Sequence, residues 1–323
     1  MPTASSTTTG SARHEGRVQQ APGSAPRWRR GRFLMVPVSG PAVRNVEAAE
    51  RLRRLVERNG AAGSLAEGAL LIAQEHYPDL DIDHYLARLD TLATMLRARL
   101  PEEAGEVERI RALNRFLFDE QGFAPNQDDF ADPRNSFLNE VLERRVGIPI
   151  SLSIVYIEVG RRIGLALDGL SFPQHFLVKC ALADGAAVLD PYLSGASLSI
   201  EELQRRLGAL RLGHRPSRAE VSALLTAASR REILARMLRN LKAVYLGAGQ
   251  FGDALVAADR IVMLTPTAAS ELRDRGWLYH RLDCFAAALA DYRRYLELAP
   301  QAADADEARE RVVELERLAA RVN

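Results

Sequence analysis

The sequence predicts an α+β chain that is mostly helical, with a small antiparallel sheet near its middle and an α-solenoid at its C-terminal end. Three observations predict it. Behind helix-start signals, apolar residues recur at helical spacing between about residues 46 and 120. Between 167 and 190 the pattern changes to three short strand-like runs. From Tyr245 to Pro300, five residues repeat at a fixed offset of 34.

Composition bounds what such a chain does. Its 323 residues are 47% hydrophobic and 26% charged, which suits packed cores in about two domains. A formal charge of +1 excludes a nucleic-acid footprint spread over the whole protein. Lys179 and Lys242 are the only lysines, and the other 41 cationic residues are arginines. That bias reads as GC-rich coding rather than selection for phosphate contacts. Cys180 and Cys284 are too few for a disulfide framework and fit no zinc spacing, so they read as reduced thiols in a cytoplasmic protein. No apolar run reaches the length of a membrane span. The run 33–38 is interrupted by Pro37 and is too short for a signal-peptide core.

Residues 1–45 are expected to be a disordered basic tail, rich in Ser, Thr, Gly and Pro. Seven arginines against Glu15 put about +6 there and leave about −5 for the rest. The run Arg27-Trp28-Arg29-Arg30-Gly31-Arg32 reads as solvated tail rather than as a nucleic-acid or membrane contact. Residues 46–125 form a helical region expected to pack on the core. Ser64-Leu65-Ala66-Glu67 is a capping box, in which hydroxyl and carboxylate each satisfy an orphan amide of the helix start. Pro78 ends that helix. Asp81 opens the next, with Tyr85, Leu86, Leu89, Leu92, Met95 and Leu96 as its apolar face. A third helix is expected over about 103–121.

The third stretch, 126–228, starts with a loop around Asp128, Asp129, Asp132 and Pro133. Asn135-Ser136 is expected to cap a short helix over 137–145. Gly147-Ile148-Pro149 then turns the chain into a second helix over 151–162, which Gly164 ends. Strands are expected over 167–172, 175–182 and 187–190. Ser199-x-x-Glu202 starts a further helix.

The last stretch, 229–323, carries the repeat. Tyr245, Phe251, Ala254, Leu255 and Pro266 recur as Tyr279, Phe285, Ala288, Leu289 and Pro300. An offset of 34 is the tetratricopeptide period. The alanines allow close helix packing, the aromatics fill the groove, and the prolines stop each second helix. Two repeats cannot bury a solenoid's apolar faces alone, so helices near 229–244 and 303–321, and the central domain, are expected to cover them.

The residues 135–153, Phe172-Pro173-Gln174-His175-Phe176-Leu177-Val178-Lys179 and Leu189-Asp190-Pro191-Tyr192 resemble the core of the SirB-type family. So do Leu65-Ala66-Glu67-Gly68 upstream and Arg273-Asp274-Arg275-Gly276 in the repeats. The resemblance covers roughly residues 46–320. It implies a transglutaminase-like (papain-like) core followed by tetratricopeptide-like repeats. In that superfamily a Cys at a helix start, a His at the next strand and an Asp from the strand after form an acyl-transfer triad. Here Ser151 sits near the Cys position, with Pro149 the other possible occupant, and His175 and Asp190 match the His and Asp.

The departure from cysteine decides the functional expectation. A thiol is appreciably ionised near neutrality, whereas a serine hydroxyl needs strong base assistance. Ser151 reads first as an N-cap bonding the amides of the first turn and only second as a nucleophile. Asn135, Asn139 and Glu140 are expected to line the cleft. Cys180 should face the core. His280 and Cys284, four residues apart, are two ligands without a third, so neither metal nor cofactor is expected. The expected function is a protein-binding adaptor or regulatory protein with a degenerate cleft, whose repeats dock a protein or peptide. The competing expectation is an amide or ester hydrolase or acyltransferase using Ser151, His175 and Asp190 as nucleophile, base and orienter.

Overall fold

Amphipathic stripes and their caps set the first helices, α1 (Val46–Glu57), α2 (Leu65–Gln74), α3 (Ile82–Arg97) and α4 (Glu106–Asn114). The computed structural model describes residues 46–57, 64–210 and 216–322, so the expectations for residues 1–45 lie outside the described residues. Ser64 Oγ accepts from Glu67 N at 2.9 Å, and Asp81 Oδ1 accepts from His84 N at 3.0 Å. Half of the expected box at Ser64 is formed, because the Glu67 carboxylate faces Arg51 instead. The third predicted helix starts three residues later than expected, at Glu106. Past Asn114 it widens into an i→i+5 turn over Arg115–Glu120, closed by Gln121 N donating to Phe116 O at 2.8 Å.

Residues β1 (Ala124–Pro125) and β2 (Val146–Gly147) pair in parallel and flank the short helix α5 (Leu138–Arg144). Asn135-Ser136 does not cap α5. The N-cap is Phe137, without a side-chain bond, and Asn135 instead belongs to a preceding 3₁₀ turn, Pro133–Asn135. Helix α6 (Pro149–Arg162) begins two residues before the predicted start, because Pro149 occupies its first turn, where a missing N–H costs nothing. Every residue from Ile150 to Gly160 is buried, so α6 is the axis of the central core.

Strands β3 (Leu167–Leu170), β4 (Leu177–Leu182), β5 (Gly185–Asp190) and β6 (Ala196–Ser197) form one antiparallel sheet in chain order. The register pairs Leu167 with Cys180 and Val178 with Leu189. His175 lies in the loop before β4 rather than on the strand. Cys180 is buried between strands, and burial pushes its thiol up. Helices α7 (Ile200–Leu210) and α8 (Arg218–Ala223) cover a smaller cluster of Leu170, Phe172, Leu177 and Leu203.

The repeats follow as α9 (Arg230–Gly247), α10 (Phe251–Leu264), α11 (Ala269–Arg281), α12 (Phe285–Leu298) and α13 (Ala305–Val322). Ala254 and Ala288 are fully buried at the close helix contacts, as the period predicts. The flanking helices expected near 229–244 and 303–321 are α9 and α13. The expected support from the central domain is visible too: Leu234, Leu238 and Leu241 of α9 and Ile261 of α10 belong to the same apolar cluster as α2 and α6. Glu75 and Arg260, 185 residues apart, close the junction with a 2.7 Å ion pair. Polar links then tie the repeats together. Lys242 Nζ reaches Glu271 at 2.6 Å and Asp274 at 2.9 Å, and Arg275 grips Asp291 through two bonds of 2.7 Å. No described helix is long and apolar enough to cross a membrane.

Candidate functional site

The loop between β3 and β4 turns on Pro173-Gln174, with Gln174 left-handed at φ 55°. His175 N donates to Phe172 O at 3.1 Å, which folds the loop back. From α9, Arg236 Nη1 donates to Phe172 O at 3.0 Å and Nη2 to His175 O at 2.5 Å. The guanidinium also lies 5.6 Å from the Phe176 ring centroid. A residue of the first repeat helix therefore clamps the backbone on both sides of this turn.

Asp190 ends β5 with its side chain fully buried. Its Oδ1 lies 2.8 Å from His175 Nε2 and accepts from Tyr192 N at 3.1 Å. Its Oδ2 accepts from Arg206 Nη1 of α7 at 2.9 Å. Burial alone would raise the Asp190 carboxyl. The His175 hydrogen bond and charge, and then Arg206, outweigh burial and hold it below the usual carboxylate range. An ionised carboxylate only accepts, so Nε2 is the ring nitrogen that donates, and the lone pair of a neutral imidazole falls on Nδ1. The Tyr192 ring packs edge-on at 5.9 Å, and the His175 side chain stays 19% exposed. This is the arrangement of a general base with its orienting acid.

Ser151 is in a different environment. It is fully buried in the first turn of α6. Its Oγ donates to Asn135 O at 2.6 Å and accepts from Ile148 N at 3.1 Å. A Cβ on Gly147 would lie 2.7 Å from that oxygen, so the backbone closes over it. No hydrogen bond joins Ser151 to His175. Pro149, the other possible occupant of the nucleophile position, has no nucleophilic atom. The structure thus joins His175 to Asp190 and ties Ser151 to the backbone, without a hydrogen bond to either of them.

The residues expected to line the cleft divide as well. Asn135 is fully buried and does not line an open cleft. Its amide accepts from Asn126 Nδ2 at 3.0 Å and donates to Asp129 O at 2.7 Å. Asn139 is also buried, and its Oδ1 has no hydrogen-bond partner. Glu140 is half-buried near Tyr77, whose phenol is pushed up to about 12 by burial and then by the Glu140 charge. Sequence reasoning missed Arg206 and Arg236. Arg206 was findable in principle, four residues after the capping Glu202, whose Oε1 accepts from Arg206 Nε at 3.0 Å. Arg236 reads as one more surface arginine of an arginine-rich chain.

Comparison with known proteins follows the same lines. Residues 83–239 match a family described as the transglutaminase-like superfamily, and residues 241–313 match a tetratricopeptide repeat. A UPF0162 protein of Xylella fastidiosa is 42% identical over 251 residues, covering 78% of this chain and 89% of that protein. The chain belongs to the UPF0162 protein family. The family's member in Pseudomonas aeruginosa is 38% identical over 236 residues, covering 73% and 85% of the two chains. Outside the bacterial family, human F-box only protein 21 is 27% identical over 229 residues, covering 62% of this chain and 35% of that protein. The transglutaminase-like core and the repeats expected from the sequence are therefore both present.

Proposed function

We propose that this protein is an adaptor in which a transglutaminase-like cleft no longer performs acyl transfer and the tetratricopeptide repeats dock a protein or peptide. One observation carries the first half: the Ser151 hydroxyl is spent on Asn135 O and Ile148 N rather than on His175. A nucleophile must reach both its base and a substrate carbonyl, and a fully buried, backbone-bonded hydroxyl reaches neither. The second half is supported by the repeats, whose stacked helix pairs offer the surface that this architecture generally uses for partners.

The test is turnover. Peptide amides and activated esters are offered to the wild type and to His175→Ala, and the expected result is the same background rate for both. A rate that falls at least tenfold in His175→Ala would restore the hydrolase or acyltransferase reading. That second reading has one observation in its favour, the intact pairing of His175 with a buried, depressed Asp190.

A further inference from the structure

Two arginines on α9 face a groove in which one of them, Arg236, has no counter-ion. Glu232, Arg236, Arg239 and Asn240 succeed one another along one side of the helix. With Ser171 and Thr226 they line a cavity of about 500 Å³ beside the His175 loop. Glu232 is the only carboxylate on that lining. It is turned to the helix start, where its Oε2 accepts from Ser229 N at 2.7 Å.

Arg236 forms no ion pair among the described residues. Its acceptors are the neutral carbonyls of Phe172 and His175, and a guanidinium carries five N–H donors. Burial, and then the like charge of Arg239, lower its proton affinity, the response of a cation that lacks a counter-ion. Arg239 is 41% exposed and pairs with Glu271, which also holds Lys242, itself bonded to Asp274 as well.

We propose that this groove binds a carboxylate of an acidic peptide segment, held by Arg236 and Arg239, with Ser171, Thr226 and Asn240 bonding the peptide backbone. The inference rests on the adaptor reading and gives its docked partner a chemical class. The charge balance favours a carboxylate over a phosphate. One cation, Arg236, has no ion pair among the described residues, inside a chain that carries about −5 beyond residue 45. One carboxylate matches that one unpaired cation. The volume is that of a short peptide stretch rather than of one inorganic ion.

The experiment titrates the full chain with a fluorescein-labelled hexaglutamate peptide and follows anisotropy. Wild type is compared with Arg239→Gln, with Thr226→Glu and with a variant in which Arg27, Arg29, Arg30 and Arg32 are glutamines. Arg239 and Thr226 are exposed enough for those variants to fold, which thermal melts verify. The expected result is binding weakened about tenfold or more by Arg239→Gln and by Thr226→Glu, little change in the tail variant, and no binding of hexaglutamine. Binding that survives both groove variants, disappears with the tail arginines, or is equal for hexaglutamine overturns the proposal. So does displacement by inorganic phosphate at lower concentration than by free glutamate. Absence of any binding, with turnover still independent of His175, sinks the groove and leaves the adaptor reading standing.

Discussion

The start of α6 and the end of β5 both carry a buried polar side chain within the transglutaminase-like domain, yet the two are bonded in opposite ways. At the start of α6 the polar side chain, Ser151, is enclosed and bonded to main chain, so it holds a turn. At the end of β5 the polar pair is connected outward, from buried Asp190 through His175 to a partly exposed imidazole ring. One end satisfies the backbone and the other presents a polarised group. The difference teaches that a resemblance is to be read residue by residue: the imidazole and carboxylate are bonded to each other, while Ser151 is bonded to main chain.

The comparison makes quantitative claims, and the largest concerns Asp190. Asp190→Ala removes the acceptor for His175, Arg206 and Tyr192 N at once and should cost about 3 kcal/mol, as loss of one partner of a buried ion pair does. Urea unfolding of both proteins measures it. The same carboxyl sets an acid dependence. Its folded pKa is depressed, so its contribution is complete above the unfolded carboxyl value of about 3.9 and disappears as pH falls through the folded value. Stability of the wild type should therefore fall more steeply below about pH 4 than that of Asp190→Asn. Parallel curves would mean that the pair is no better bonded than an exposed one.

Ser151→Ala comes next. It strands Ile148 N and Asn135 O in the interior and should cost about 2 kcal/mol. Ser151→Cys sharpens the same point chemically. A thiol in that fully buried place should resist iodoacetamide in the folded protein and add no turnover that depends on His175. Rapid alkylation there would show that the start of α6 is open and would erase the contrast. Gly147→Ala tests the enclosure from the other side. Its Cβ would meet Ser151 Oγ at 2.7 Å and Leu152 Cγ at 3.2 Å, and the overpacking should cost about 1–2 kcal/mol in the same urea assay.

Much of this was readable before any coordinates. The offset of 34 placed Ala254 and Ala288 at close helix contacts because only a small side chain fits there, and a local rule of that kind survives folding intact. Ser64 and Asp81 as helix starts were legible for the same reason, since a cap bonds amides only three residues on. The helix expected over 137–145 was misjudged at its start, because Asn135 bonds Asn126 and Asp129 rather than the amides of α5. The pairing of His175 with Asp190 could be suspected from an Asp-Pro turn fifteen residues downstream. The environment of Ser151 could not, because it depends on Asn135, sixteen residues away on a separate turn. Arg236 was illegible altogether. It acts on His175 across 61 residues, and nothing in an arginine-rich helix distinguishes the one that clamps a loop from those that face water.

The smallest expected effect belongs to His175, and for that reason it tests the comparison most closely. In His175→Ala the carboxylate still accepts from Arg206 and from Tyr192 N, so Asp190 is not left bare. The lost ring is partly exposed, and removing one hydrogen bond of this kind should cost about 1 kcal/mol or less. A loss of that size, set beside the larger loss at Ser151, is the signature of an outward-facing group opposed to a scaffold group. A loss at His175 equal to that at Asp190 would instead make the imidazole a structural bolt, and both ends of the site would then have to be read as scaffold.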